Sequence, residues 1–402
     1  MWPGSLSFAA PPCDDGPPMA RILLTGGRAP ATLELCRLFR RAGHEVFVAE
    51  SLRGQLSFPS RAVTRTHHIP PPNDGLREFS AALQRIARRE GIDLLVPTCE
   101  EVFHVSRCRD ALAEVCGVFT APIATLRRLH SKWEFQQVVA ALGWPTPATR
   151  LVTTRDALVT EATSGRDVVL KPVFSRFATS TILRPRRAAD VASAVISPER
   201  PWVSQDYVEG RHLCTWSVAH DGHLTAHAAY GVEFKAGQGA TIVFERLDHP
   251  AACAWVRDFV AAERFTGQIA FDFIDGDALY AIECNPRATS GIHLFGDDPH
   301  LARAFLEPAA PTLEPAEDAR PAMLAIAMLL YALPAVRSLG GLRRFLEVFG
   351  RSREVVFDAS DPLPFALQLV GIGELGAVAL RRGVGLLEAS TLDIEWNGQL
   401  DA

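Results

Sequence analysis

The alternation of strand-like and helix-like segments near the N-terminus limits the fold of this chain more than any other feature. Three short apolar runs, each of a length typical of a buried strand, cover residues 21–25, 46–49 and 93–97. Helical patterns lie between them and end at Gly43 and Gly91, since glycine often closes a helix. Parallel strands joined by helices form right-handed crossover units. Residues 20–124 are therefore predicted to form a small, open, Rossmann-like α/β domain.

The composition is that of an ordinary globular protein. The 402 residues are 48% hydrophobic and 22% charged, with a net charge of -5. Such a length suits two or three subdomains, and the absence of a basic excess predicts no nucleic-acid and no membrane partner. The eight cysteines include no CxxC pair, which favours reduced thiols of a cytoplasmic protein. Residues 1–19 are predicted to be a disordered tail, with Met19 as the expected natural start.

A mixed α+β section follows the N-terminal domain. Ser131 and Glu134 form a capping box at the start of a helix that ends at Gly143. Alternating strands and hairpin turns continue after that helix, so residues 125–306 are predicted to form an α+β unit.

The C-terminal section, residues 307–402, is rich in alanine and leucine. It is predicted to be mainly helical and to pack either against the middle section or against a second subunit in a homodimer. Its apolar run Met323–Val336 is too short to span a bilayer and is predicted to be a buried helix.

An acidic hairpin in the middle section is expected to bring carboxylates together. Two alternating strands flank residues 276–277, a pair that suits a two-residue turn. In that register Asp272 lies opposite Ala281 and one diagonal step, about 7–8 Å, from Glu283. A three-residue loop would separate the two acids unless a bulge restored their common face. With the amide of Asn285, these oxygens suit Mg²⁺ bound with a nucleotide; a solvated hairpin is an equal alternative on this pattern alone.

Five segments in chain order resemble the ATP-grasp family. They are Ser131-Lys132, the strand 168–172, the hinge-like run 205–210, His212, and Asp272 with the run Glu283-Cys284-Asn285-Pro286-Arg287. The resemblance covers residues 20–306 and implies an ATP-grasp fold of two lobes with a hinge near 203–210. It also implies that the N-terminal unit is a pre-ATP-grasp domain and that residues 307–402 are a helical extension.

The resemblance further implies roles for individual residues. Those implied to bind ATP are Lys132, Lys171, Gln205, Asp206, Tyr207, Val208 and His212, and Lys235 beside the glycines of 237–239 is expected to face the triphosphate. Those implied to hold Mg²⁺ or Mn²⁺ are Asp272, Glu283 and Asn285. Those implied in catalysis are Lys171, Arg287 and Arg176, the last as a ligand of the substrate acid. Ser290 and His293 are expected to line an acceptor pocket.

The implied activity is that of an ATP- and Mg-dependent ligase. A small-molecule carboxylate is activated as an acylphosphate and joined to an amine, with release of ADP and phosphate. Two alternatives stay open: a bicarbonate-using carboxylase or carbamoyl-phosphate-synthase-like enzyme, and a nucleotide-binding protein without chemistry. The loop 174–180 favours the last alternative, because it lacks the glycines that usually cover the phosphates in this family.

Two other interpretations are weaker. A nicotinamide dehydrogenase would need G-x-G-x-x-G after the first strand, and Arg28 follows Gly27 instead. Glu100 and Glu101 follow a strand end, where open α/β sheets bind ligands, but a solvated loop or an interdomain contact is the better interpretation.

Overall fold

The N-terminal region of the computed structural model, which describes residues 19–176, 180–236 and 240–399, is an open parallel sheet flanked by helices. Its strands lie in the order β3-β2-β1-β4-β5, and each strand pair is parallel. The predicted α/β architecture is therefore confirmed. The elements are β1 (Arg21–Thr25), α1 (Pro30–Arg41), β2 (Glu45–Glu50), β3 (Arg65–His68), α2 (Leu76–Glu90), β4 (Leu94–Val96), α3 (Glu101–Arg107), α4 (Arg109–Ala113) and β5 (Gly117–Val118).

Two helices lead into a four-stranded antiparallel sheet, called here the first lobe. The hydroxyl of Ser131 accepts a hydrogen bond from the Glu134 backbone N–H, which confirms the predicted N-cap. The strand order is β6-β9-β7-β8. The elements are α5 (Ile123–His130), α6 (Lys132–Ala141), β6 (Thr149–Val152), α7 (Arg155–Thr163), β7 (Val168–Pro172), β8 (Ile182–Leu183), a 3-10 turn (Ala188–Val191) and β9 (Trp202–Asp206).

A second four-stranded antiparallel sheet, β11-β10-β15-β16, forms the second lobe. Helix α8 packs on it through aromatic side chains; the ring centroids of Trp255 and Phe271 lie 5.0 Å apart. The elements are β10 (Arg211–His220), β11 (His223–Gly231), β12 (Lys235–Ala236), β13 (Ala240–Thr241), β14 (Val243–Phe244), α8 (Pro250–Glu263), β15 (Gly267–Asp275), β16 (Leu279–Asn285), a 3-10 turn (Ser290–Phe295) and α9 (Leu301–Leu306).

The C-terminal region is mainly helical, as predicted, but it also contributes two short strands. These strands join β14 in a three-stranded sheet of order β14-β17-β18. The elements are β17 (Ala322–Met323), α10 (Ala325–Ala327), a π-helical turn (Met328–Ala332), α11 (Leu333–Ala335), α12 (Leu339–Arg351), β18 (Arg353–Glu354), α13 (Leu363–Arg382) and α14 (Leu386–Ala389).

The predicted buried helix over Met323–Val336 is wrong in two respects. The segment begins as a strand and continues as a helix interrupted by the π-helical turn. Met328 is fully buried, but Leu329 and Leu330 are about half exposed. Only one side of this apolar segment therefore packs against the protein.

Candidate functional site

A lysine from the first lobe contacts the second lobe directly. Lys171 lies on β7, is 5% exposed, and donates from its Nζ to the carbonyl oxygen of Ile282 on β16 at 3.2 Å. Desolvation is the main cause that lowers the pKa of Lys171, to about 8, while the carboxylates of Glu283 and Asp272 act in the opposite direction. The lysine therefore lies against the acidic hairpin of the second lobe.

The acidic pair of that hairpin lies closer together than the two-residue turn predicts. Asp272 pairs directly with Glu283, whereas Phe273 pairs with Ala281, so that an irregularity in the register follows Asp272. Asp275 pairs with Leu279, which leaves a three-residue loop. The predicted two-residue turn is thus wrong. A three-residue loop without a bulge would place Asp272 and Glu283 on opposite faces of the hairpin. The bulge returns the two carboxylates to the same face.

The charges around the pair favour a bound cation. Lys132 Nζ lies 3.3 Å from a carboxylate oxygen of Glu283. Desolvation pushes the pKa of Glu283 upward, but Lys132 and Lys171 outweigh it and hold that pKa below its ordinary value. Asp272 has the opposite shift, because desolvation and then the neighbouring Glu283 carboxylate raise its pKa. Two adjacent carboxylates that repel each other fit a divalent cation with oxygen ligands.

The end of β16 adds an amide and a guanidinium to this group. Asn285 follows Glu283 by two residues, so the two side chains leave the strand on the same face. Arg287 donates to the Asn285 amide oxygen at 3.3 Å and to a carboxylate oxygen of Glu100 at 2.9 Å. The structure thus brings together all three residues predicted to hold a metal, next to one predicted to bind phosphate.

One residue near the acids was missed by the sequence interpretation. Cys214 lies directly opposite Asp272 on the neighbouring strand β10. Ligand atoms of His212, Cys214 and Asp272 all lie within 4.8 Å of one another. Side chains alternate between the two faces of a strand, so residues 212 and 214 lie on the same face. This spacing in the sequence could have indicated that Cys214 lies beside His212.

His212 and Lys235, both predicted to bind ATP, lie close together. The Nζ of Lys235 is 3.5 Å from Nδ1 of His212. Desolvation, and further the charge of Lys235, lower the pKa of His212. The glycines of 237–239, expected to face the triphosphate, lie outside the described residues.

Four of the residues predicted to bind ATP, where the family resemblance implies contact with the adenine base, end β9 or follow it. The Gln205 amide is buried and donates to the Thr149 hydroxyl at 3.1 Å. The carboxylate of Asp206 accepts from Arg166 at 2.7 Å. The ring of Tyr207 lies beneath the guanidinium of Arg184, 3.8 Å from its centroid, and Val208 lies in the link to β10. Their contact with a base stays a prediction.

Arg176 lies in the lining of a cavity that Glu395 and Asn397 also border, and its guanidinium is engaged by carboxylates. Its guanidinium pairs with Glu100 at 3.1 Å and with Glu395 at 2.6 Å, and it also donates to the Trp396 carbonyl oxygen. Residues 390–397 are called here the C-terminal strap. Through these contacts the strap holds Arg176, which lies at the start of the loop after β7. Residues 177–179 of that loop lie outside the described residues.

Glu100 links the N-terminal domain to both lobes. It is 2% exposed and pairs with Arg287 as well as Arg176. Desolvation opposes its ionisation, but the two guanidinium groups lower the pKa of Glu100 to about 2. The solvated-loop interpretation is therefore wrong for this residue, and the interdomain-contact interpretation is confirmed.

The two residues expected in an acceptor pocket begin the 3-10 turn after β16. His293 is 2% exposed, and its Nδ1 lies 2.8 Å from a carboxylate oxygen of the buried Glu34. Arg353 also pairs with Glu34. His293 is therefore part of the packing between α1 and the second lobe. Its ring also stacks on Phe244, with 5.6 Å between ring centroids, and the acceptor-pocket role expected of Ser290 and His293 stays a prediction.

The neighbouring Glu101 predicts a pH dependence of stability. It is 3% exposed, and burial, followed by the charge of Glu50, raises its pKa from 4.5 to about 8. The native state then binds a proton that the unfolded state has released. The contribution of Glu101 to the free energy of unfolding is therefore lost as the pH rises from 4.5 to about 8. The loss is at most about 1.4 kcal/mol per pH unit.

Urea unfolding at several pH values between about 5 and 8 measures this effect. Glu101→Gln cannot ionise, so its free energy of unfolding is expected to fall less steeply with pH than that of the unmodified protein. Equal slopes for both proteins would contradict the assignment.

Solved structures share this arrangement of domains at low sequence identity. An ADP complex of purK, an N5-carboxyaminoimidazole ribonucleotide synthetase, superposes with a TM-score of 0.58 at 17% identity over 76% of this chain and 80% of that one. An L-amino acid ligase from Bacillus licheniformis gives a TM-score of 0.53 at 15% identity, over 68% of each chain. The third structure is the biotin carboxylase domain of the Hydrogenobacter thermophilus 2-oxoglutarate carboxylase in complex with MgADP and bicarbonate. It superposes with a TM-score of 0.56 at 13% identity, over 73% of this chain and 71% of that one.

No family model and no curated protein matches the sequence. Similarity at these identities shows the fold and leaves the substrates open. The two antiparallel lobes, the preceding parallel sheet and these structural similarities together show that the chain has the ATP-grasp fold.

Proposed function

We propose that the protein is an ATP- and Mg-dependent ligase that joins a small carboxylic acid to an amine. The observation that carries this proposal is the pairing of opposed charges in one cleft. Asp272 and Glu283 supply the oxygens for a metal, while Lys132 and Lys171 lie beside them. The solved structures with this fold include a carboxylate–amine ligase and complexes with ADP and MgADP, which supports the same class of substrate.

Asp272, Glu283 and Asn285 would hold the metal, which would supply positive charge against the phosphate oxygens of ATP. Lys171 and Lys132 would then exchange their present contacts, the Ile282 carbonyl and the Glu283 carboxylate, for phosphate oxygens. Most of the catalytic effect in such a site comes from positioning and from neutralising charge in the transition state.

The proposed reaction has two transfers. An oxygen of the substrate carboxylate attacks the γ-phosphorus of ATP; the bond to the β–γ bridging oxygen breaks, and ADP leaves with that electron pair. The amine nitrogen then attacks the acyl carbon of the acylphosphate, phosphate leaves, and the nitrogen loses a proton. No side-chain nucleophile is needed. Arg287, which donates to the Asn285 amide oxygen at 3.3 Å, would bind the transferred phosphate.

A screen of ADP release tests this proposal. The protein is incubated with Mg-ATP and pools of amino acids and small carboxylates, with and without amines, and product masses are measured. ADP release that needs both an acid and an amine, with a product of the summed mass less water, is the expected result. Release stimulated by bicarbonate alone would instead indicate a carboxylase-like reaction. Tight binding of Mg-ATP without ADP release across the whole screen would overturn the proposal.

A further inference from the structure

A cavity of about 210 Å³ lies at the edge of the second lobe, where β11, the start of α8 and residues 314–315 meet. His227 of β11 lines this cavity and pairs across the strands with Ser217 of β10. Cys214, three residues before Ser217, lies beside Asp272. Because side chains alternate between the two faces of a strand, His227 is on the face of the sheet opposite the acidic pair. The cavity is therefore separate from the candidate site.

The imidazole of His227 is the most buried polar side chain of this cavity, at 3% exposure. Its Nδ1 lies 2.9 Å from the hydroxyl oxygen of Ser217, which leaves Nε2 as the ring nitrogen that faces the cavity. That Nε2 is buried and has no hydrogen-bond partner among the described residues. A buried polar atom without a partner costs free energy, so a ligand that bonds to this nitrogen would recover part of that cost.

Positive groups lie around this inner end of the cavity. Desolvation first, and then the neighbouring Arg257 and His249, lower the pKa of His227 to about 4, and among the described residues no carboxylate raises it. Arg246 also lines the cavity, and its Nε donates to the Pro315 carbonyl oxygen at 3.1 Å. Neither arginine forms an ion pair with a described residue, so both guanidinium groups are available to an anionic group.

Helix α8 adds a further positive end. His249 and Pro250, which begin it, line the cavity, and the helix has 14 residues. The aligned peptide dipoles of such a helix give its N-terminus a partial positive charge that favours anions. Asp275 lies 3.3 Å from Nε2 of His249 and offsets part of this charge, but it does not line the cavity.

Negative groups lie at the mouth of the cavity. The side chains of Asp248 and Glu314 line it and are exposed. The thiol of Cys253 donates to a carboxylate oxygen of Glu314 at 3.6 Å, and neither acid forms an ion pair with a described residue. The two carboxylates therefore balance the two guanidinium groups in total charge, while only positive groups act on His227.

We propose that this cavity binds a small zwitterion, an α-amino acid. The carboxylate of the ligand faces His227 and the two arginines, and its ammonium group faces Glu314 and Asp248. Hydrogen bonds between charged partners are stronger than neutral ones. A simple anion would leave the two acids without partners and a simple cation would leave the two arginines without them, whereas a zwitterion pairs with both.

The size of the cavity agrees with such a ligand. Its volume of about 210 Å³ is the share of roughly seven water molecules at about 30 Å³ each. It is smaller than the range of about 300–1,000 Å³ for pockets that hold drug-sized ligands. The inference does not rest on the proposed ligase function, because none of the residues proposed to hold ATP or the metal lines this cavity. An amino acid bound here would be an effector rather than a substrate.

Isothermal titration calorimetry of the full-length protein without nucleotide tests this proposal. The probes are L-alanine, ethylamine, which lacks the carboxylate of alanine, propionate, which lacks its ammonium group, and inorganic phosphate. L-alanine is expected to bind, and ethylamine and propionate are each expected to bind at least roughly tenfold more weakly. Phosphate or propionate that binds as tightly as L-alanine would overturn the zwitterion assignment.

Three variants remove groups that would contact the ligand. Arg257→Gln and Glu314→Gln change exposed side chains, and each is expected to lower the affinity for L-alanine roughly tenfold. His227→Asn can still bond to Ser217 but does not extend to the position of Nε2, so a loss of similar size is expected. Arg85→Gln is the matched control, because Arg85 is exposed on α2 in the N-terminal domain; its affinity is expected to equal that of the unmodified protein.

Thermal unfolding shows whether each variant is folded. The proposal is overturned if L-alanine does not bind, or if the folded Arg257→Gln and Glu314→Gln proteins bind it as tightly as the unmodified protein does. Glu283→Gln, at the acidic pair, is expected to keep this binding; if it alone abolishes binding, the amino acid belongs to the candidate site and the proposal fails. A negative screen of ADP release would leave the calorimetric result standing, so the two proposals fail separately.

Discussion

Glu283→Gln is expected to lower the rate of ADP release by roughly 10²–10³-fold, the effect of removing one group that stabilises transition-state charge. The amide keeps the shape of the side chain and removes the charge that pairs with Lys132 and opposes Asp272. A cation in that place would lose one of its two carboxylate ligands, and ATP would lose part of its positioning. Initial rates at saturating ATP over a range of Mg²⁺ concentrations measure the loss. A higher Mg²⁺ requirement is expected to accompany it.

Asp277→Asn is the control for that experiment. Asp277 lies in the loop of the same hairpin and is exposed, so its replacement changes the charge of the hairpin without touching the cleft. It is expected to leave both the rate and the Mg²⁺ dependence unchanged. Equal activity of the Glu283→Gln variant and the unmodified protein would remove the acidic pair from the proposed mechanism.

Trp396→Ala is expected to lower the free energy of unfolding by about 3–5 kcal/mol, the usual cost of removing a large buried aromatic side chain. Trp396 is 2% exposed; its ring stacks on Phe103 with 4.8 Å between centroids and contacts the edge of Phe174. The ring therefore fastens the C-terminal strap to both the N-terminal domain and the loop after β7. Urea unfolding followed by fluorescence and circular dichroism measures the change.

Trp396→Phe separates packing from the polar contact of the indole. The indole N–H donates to the Gln399 carbonyl oxygen at 2.8 Å, and phenylalanine lacks this donor while keeping an aromatic ring against Phe103. Its cost is expected to be well below that of the alanine variant. A similar loss for both variants would mean that the hydrogen bond, rather than the stacked rings, holds the strap.

The strap also changes how Arg176 is to be understood. In the structure its guanidinium is held between Glu100 and Glu395, so a substrate acid would have to compete with two carboxylates for it. Arg176 thus positions the loop after β7 against the N-terminal domain.

The sequence alone was sufficient to predict many of the helices and strands and to name the charged residues of the candidate site. The strand and helix periods of the N-terminal domain and the Ser131 cap could be identified because each depends on local spacing along one segment. Lys171, Asp272 and Glu283 were singled out by the resemblance of their segments, in chain order, to a known family. Hydrophobic periodicity, helix capping and strand alternation each involve only a few neighbouring residues. They can therefore be recognised in a short segment without knowing how the rest of the chain folds.

Tertiary structure alone decided how these groups meet. The bulge that places Asp272 opposite Glu283 depends on loop length and on pairing with β10, and no local pattern specifies it. The Arg176–Glu395 pair joins residues more than two hundred positions apart. Whether an apolar helix such as α13 is covered depends on which other segments reach it, and here only a small part of it is buried. Contacts between distant segments are set by the packing of the whole chain, and local sequence patterns carry no information about them.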